Sequence, residues 1–194
     1  MQRLVEDIRR VVARGPVDRE AIAALEDRVR EALPRLRQEG LGKEPIQPGR
    51  YLCYRDADYG FVVMVLVWGK GDKTPIHDHG IWGVEAVLKN SLKVTNYDES
   101  ETDPQPLGSL VLSEGAVMHN MPPARDIHRV EHFAGDVAMS LHIYGKEMTG
   151  NRSFVPGEGY KCCQLVCKEL KLAGFGLDDW STAGMRTSGT ARSL

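Results

Sequence analysis

No stretch of this chain is apolar for long enough to cross a bilayer. The longest run, Phe61 to Trp68, falls far short of the roughly 20 residues that a spanning helix needs. The opening Met1-Gln2-Arg3-Leu4-Val5-Glu6-Asp7 is charged and has no apolar core, so no secretory signal is expected and the sequence reads as soluble and cytoplasmic. An excess of one charge is missing too. The formal net charge of −2 gives no electrostatic case for nucleic acid or an acidic membrane surface as a partner. Cys53, Cys162, Cys163 and Cys167 contain no C-x2-C pair and match no common zinc spacing. They read as reduced thiols half-buried in a C-terminal strand, with no disulfide framework. There is no internal repeat and no nucleophile elbow for a hydrolytic serine. What remains is a chain of 194 residues, enough for one domain with a sizeable core.

The first forty residues read as two helices. Leu4, Ile8, Val11 and Val12 fall on one stripe, and Ile22, Leu25, Val29 and Leu33 on another, with charges elsewhere. Pro16 and Asp18 punctuate the gap, Asp18 as an N-cap, and Gly40 and Gly42 close the second helix. From about Gly49 the texture changes to β-branched and aromatic runs. Strands are predicted over Tyr51–Arg55, Phe61–Trp68, Thr74–His79, Gly83–Leu88, Leu92–Tyr97, Gly108–Leu112, Ala116–Asn120, Ile127–Phe133, Val137–Tyr144 and Tyr160–Cys167. Many short strands at close spacing predict an antiparallel sandwich or barrel. The division expected is an N-terminal helical pair over residues 1–45, a β-domain over 46–180, and a flexible Gly/Ser/Thr-rich tail over 181–194.

Chemistry concentrates in the middle third, in His77-Asp78-His79, His128-Arg129-Val130 and Ser140-Leu141-His142-Ile143-Tyr144. Side chains alternate along a strand, so His77 and His79 share a face and make a two-point imidazole clamp for a divalent ion. A third histidine from a neighbouring strand completes a facial triad that leaves coordination positions open. Ser140, His142 and Tyr144 alternate likewise, so they can hydrogen-bond in series along one face.

Gly71-Asp72-Lys73-Thr74-Pro75-Ile76-His77-Asp78-His79 resembles the first cupin motif. With Asp126-Ile127-His128-Arg129-Val130 and Ser140-Leu141-His142-Ile143-Tyr144 in order, Gly49 to Phe154 resembles the cysteine dioxygenase family of thiol dioxygenases. That resemblance implies an all-β cupin, a double-stranded β-helix or jelly-roll barrel, here with an N-terminal helical pair. It implies one Fe(II) held by His77, His79 and His128, small thiol carboxylate and O2 as partners, and no nucleic acid or membrane partner; the oligomeric state is left open. Three neutral imidazoles leave the ion's charge uncompensated, which favours an anionic thiolate. Histidines accept several divalent ions, so the ligand set alone does not choose iron.

Alternatives stand at several positions. His119 lies where a generic second cupin motif places a histidine, and His132 shares strand parity with His128. Glu85 shares parity with His77 and His79, and many cupins add a glutamate ligand just after the His-x-His. In the resembling family Tyr144 ends the relay near the metal, donating to the substrate or to an oxygen intermediate, with His142 orienting its hydroxyl and Ser140 fixing the imidazole. Gly80-Ile81-Trp82-Gly83-Val84 contains no cysteine that could cross-link to that phenol. Arg50 is the leading carboxylate anchor, Arg55 its rival if the strand is shifted, and Arg152 a second holder of the kind found in mercaptopropionate-type enzymes. The function expected is dioxygenation of L-cysteine to its sulfinic acid. The alternatives are a 3-mercaptopropionate or related mercapto-acid dioxygenase, a non-oxygenase cupin using Glu85, and a metal-binding module.

Overall fold

The computed structural model describes residues 1–41, 47–122, 126–148, 150–165 and 167–169. The tail expected from Ser181 lies outside them, as does Gly42. The elements are α1 (Gln2–Val12), α2 (Arg19–Gln38), β1 (Gly49–Arg55), β2 (Val62–Gly69), β3 (His77–Asp78), β4 (Gly83–Tyr97), β5 (Pro106–Ser113), β6 (Val117–Asn120), β7 (His128–Tyr144), β8 (Gly150–Val155), β9 (Gly159–Gln164) and β10 (Lys168–Glu169). The Asp18 carboxylate accepts from the backbone N–H of Glu20 and Ala21, the expected cap, an interaction typically worth about 1 kcal/mol.

The strands pair in the order β10-β1-β2-β7-β3-β8-β9, with β4 joining β5, β6 and β7. β7 is the axis. Its C-terminal half pairs with β2 on one side and β4 on the other, while its N-terminal half pairs with β4 and β3. A strand can serve different neighbours along its length only if the sheet curls, and the result is a jelly-roll barrel.

The stretches read as two pairs of strands are two long bent ones. Lys89-Asn90 and Ala134-Gly135-Asp136 look like turns, yet both lie inside continuous strands. Asn90 and Gly135 have φ of 58° and 88°, the β4–β7 register shifts there, and the Asn90 side chain donates to the Val137 carbonyl at 2.6 Å. The turn-forming residues make a shared bulge that bends both strands without ending them. β8 and β10 were not anticipated.

Alternation sorts the core. Val63, Val65 and Val67 of β2, Val84, Ala86 and Leu88 of β4, and Met139, Leu141 and Ile143 of β7 pack with Leu4, Ile8, Leu25 and Leu36 of the helices. The intervening Met64, Leu66, Trp68, Val87 and Tyr144 pack inside the roll with Val94 and Val130. β2 is buried on both faces, which is why it reads as an unbroken apolar run. The same parity sends Ser140, His142 and Tyr144 inward, toward the cavity.

Candidate metal centre

β3 lies between β7 and β8, with His77 opposite His128 on one side and Ser153 on the other. That pairing joins the His-x-His segment to the distant third histidine. One ring nitrogen from each of His77, His79 and His128 lies within 4.8 Å of the others, and no other such cluster occurs among the described residues. The ring centroids are 4.6 Å apart for His77 and His128, and 5.0 Å for His79 and His128.

The rings are oriented from behind. His77 Nδ1 lies 3.1 Å from the Pro75 carbonyl, and His128 Nδ1 lies 3.0 Å from that of Asp126. A carbonyl only accepts, so each Nδ1 carries the hydrogen and each Nε2 keeps its lone pair for a metal. Asp126 holds the backbone behind the third ring: its carboxylate accepts from the backbone N–H of His79 and Gly80 at 3.0 and 2.8 Å and lies 3.4 Å from His79 Nδ1. Burial, then His128 and His79, hold His77 well below its ordinary value of 6.5. Burial and His79 bring His128 down to about 4. Both are therefore neutral at neutral pH, the form that ligates. Three converging ring nitrogens, with His77 and His128 neutral and oriented by carbonyls, fit a divalent first-row ion.

Beside the cluster runs a buried hydrogen-bond chain. Trp68 Nε1 donates to Ser140 Oγ at 2.9 Å, Ser140 Oγ lies 2.6 Å from His142 Nε2, and His142 Nδ1 lies 2.9 Å from the Tyr144 hydroxyl. The Tyr144 ring stacks 5.1 Å from His79. Glu85 meets this chain: its Oε1 is 3.3 Å from both the Tyr144 hydroxyl and His142 Nδ1. Burial opposes ionisation of Glu85, but His142, then His128 and His79, outweigh it and hold the carboxyl well below the usual range. Burial and the Glu85 charge push the Tyr144 phenol well above 10, so it stays protonated.

The three histidines, Glu85, His142 and Tyr144 open onto one cavity, whose other walls include Arg50, Met64, Leu66, Trp68, Asn151 and Cys167. Arg50, at the start of β1, is thus brought to the cluster. Arg55 is not: it forms a fork with the Glu147 carboxylate, its Nε at 2.7 Å. Arg152 also stays outside the cavity lining. In the β3–β8 pairing Asp78 faces Arg152 and His77 faces Ser153, so alternation turns Arg152 away from the histidine face. Its guanidinium pairs with Asp78 at 2.6 Å and Glu101 at 3.3 Å, and Asn151 lines the cavity instead. Of the rival histidines, His119 pairs with Glu26 of α2 at 3.0 Å, and neither it nor His132 belongs to the cluster.

The sequence pattern does not reveal Asp126 as a support or the Trp68–Ser140 bond, although Asp126 and Ser140 each open a quoted motif. It also missed the demand on Gly83. That glycine pairs with Tyr144, and a Cβ there would lie 2.9 Å from the Tyr144 ring and 2.5 Å from Asn120 Oδ1. The site therefore admits no side chain beside the phenol, which stays free.

No family model matches the chain. Cysteine dioxygenase type 1 of Danio rerio is 30% identical over 106 residues, covering 52% of this chain and 52% of that protein. The matched segment thus spans about half the length of that curated relative. Among solved structures, a cupin superfamily protein of Desulfitobacterium hafniense is 12% identical, over 54% of this chain and 84% of that one, at a TM-score of 0.39. An oxalate oxidase in complex with glycolate is 16% identical, over 57% of each chain, at 0.43. The barrel itself is read from the strand pairing above. The histidine cluster lines the cavity and could hold a metal ion there. Over the matched half, the chain is similar to the fish cysteine dioxygenase.

Proposed function

We propose that the protein is a thiol dioxygenase that converts a small thiol carboxylate, L-cysteine first among them, and O2 into the sulfinic acid. Both oxygen atoms end on sulfur (RSH + O2 → RSO2H), and no external reductant is consumed. The observation that carries the reading is the convergence on one cavity of three metal-ready imidazoles, a tyrosine-ended relay and one arginine.

His77, His79 and His128 would hold iron(II), which when bound supplies the meeting point for thiolate and O2. Arg50 offers a guanidinium fork to the substrate carboxylate. Tyr144, held by His142, brings its hydroxyl against the bound substrate, and Ser140 anchored on Trp68 keeps the imidazole from turning. Met64, Leu66 and Trp68 form a wall with few groups to hold water.

Oxygen uptake by anaerobically Fe(II)-loaded protein, with cysteine and 3-mercaptopropionate side by side, tests this. Faster consumption with cysteine is the expected result. Faster consumption with mercaptopropionate moves the reading to the mercapto-acid branch, and none with any small thiol removes the oxygenase reading.

A further inference from the structure

β5 is an edge strand. It pairs with β4 along its length, and no other strand among the described residues pairs with it. Alternate backbone N–H and C=O groups along Pro106–Ser113 therefore point away from β4 with no strand to meet them. Sheets commonly guard such an edge with a charge, a proline or a shortened strand. The other strands paired on one side only are guarded in this way: β9 carries Lys161, β10 carries Lys168 and Glu169, and β6 has four residues. β5 runs for eight residues, and after Pro106 it reads Leu107-Gly108-Ser109-Leu110-Val111-Leu112-Ser113, with no charge.

The inner face of the roll also stops short at this edge. Leu110 pairs with Val94, and Val94 with Val130, so the three form one row across β5, β4 and β7. Val94 and Val130 are 2% and 3% exposed, whereas Leu110 is 59% exposed. The row is apolar to its end, and its last member lacks a neighbour on the outer side. Val111, on the opposite face, and Leu107, near the start of the strand, are exposed as well. Apolar side chains on both faces of an unguarded edge are what a further strand would cover.

We propose that β5 pairs with β5 of a second copy of this chain, antiparallel about a two-fold axis perpendicular to the sheet, so that one sheet continues through a dimer. Charge argues for a second copy. Across such an axis a charged residue on the strand comes close to its own image, so self-pairing requires an uncharged strand. β5 is the one long edge among the described residues that meets this requirement. With Leu110 on the axis, it faces its own image, Leu112 faces Gly108 and Val111 faces Ser109, so inner residues meet inner ones and outer meet outer. Glu114, the first charge after the strand, then falls opposite Pro106 and is already held by Arg37 at 3.1 Å. Each chain presents this edge once, so the pairing closes at two copies. The inference does not depend on the reading of the cavity.

The test is light scattering after size exclusion, over a dilution series of wild type, Leu110→Lys, Leu110→Glu and an equimolar mixture of the two variants. Wild type should run at twice the chain mass and dissociate on dilution. Each variant alone opposes two like charges at the axis and should dimerise about a hundredfold more weakly or worse. The mixture places opposite charges there and should recover a heterodimer. Leu110 is more than half exposed and lines no part of the cavity, so circular dichroism and iron content should match wild type in both variants. A wild type that stays monomeric throughout overturns the proposal. Slow amide exchange along β5 in that monomer would assign the cover to the chain itself. A dimer that both variants retain also overturns it, as does a mixture that stays monomeric.

Discussion

At the scale of single residues, the site separates metal retention from turnover. His128→Ala removes one of three converging imidazoles and should abolish iron retention, read as metal content after desalting. Tyr144→Phe leaves the imidazoles untouched, so iron should stay near wild-type content while kcat falls about a hundredfold or more, the usual range for a positioned proton-handling group being about 10²–10⁴-fold. An active, iron-replete His128→Ala would sink the ligand assignment. The two arginines give a second contrast. Arg50→Gln should raise KM by about tenfold or more, whereas Arg152→Ala should leave KM within about twofold, because Arg152 is turned to Asp78 and Glu101. Much of this was legible in the sequence, since His77, His79, Ser140, His142 and Tyr144 obey a period of two whatever the strand's neighbours. Arg152 was not, because its parity relative to His77 depends on the β3–β8 register, which no local pattern records.

At the scale of elements, the close approach of β4 and β7 sets the geometry of the phenol. Gly83 lies directly under the Tyr144 ring, so Gly83→Ala must push either that ring or Asn120 aside. The expected outcome is a drop in kcat approaching that of Tyr144→Phe, with iron content and the cysteine KM less affected; a fully active variant would show that the ring is free to shift. The long strands were misread as pairs because Asn90 and Gly135 carry turn chemistry, and that chemistry builds a bulge between two strands that already pair. β8 gave no strand signal, because Asn151, Arg152 and Ser153 are polar on both faces, one toward the cavity and one toward Asp78.

For the whole molecule, the buried histidines tie stability to pH. His77 and His128 bind protons less readily folded than unfolded, so the unfolded chain takes up more protons as pH falls through 6.5 toward 4. Their contribution is intact above 6.5 and is lost below it, by roughly 3 kcal/mol for His128 alone. The depressed carboxyls of Glu85 and Asp126 add their own losses only at lower pH, below their ordinary values of 4.5 and 3.8. Thermal melts of metal-free protein should therefore show a falling midpoint between pH 6.5 and 4.5, and a flat profile there would contradict the neutral, buried state of the imidazoles. The fold class was legible from strand density and the motifs, and the helical pair from its apolar stripes. How the barrel closes was not, since β7 serves β2, β3 and β4 in turn. No helix among the described residues is long and apolar enough to cross a membrane.

In the proposed reaction both atoms of one O2 reach the sulfur of a small thiol carboxylate at the three-histidine centre. Turnover of L-cysteine by Fe(II)-loaded protein under 18O2, followed by mass spectrometry of the product, addresses it directly. The account predicts a sulfinic acid carrying two labelled oxygens, formed with one O2 consumed per thiol and absent in His128→Ala. Disulfide as the main product, or a sulfinate carrying a single label, would contradict it.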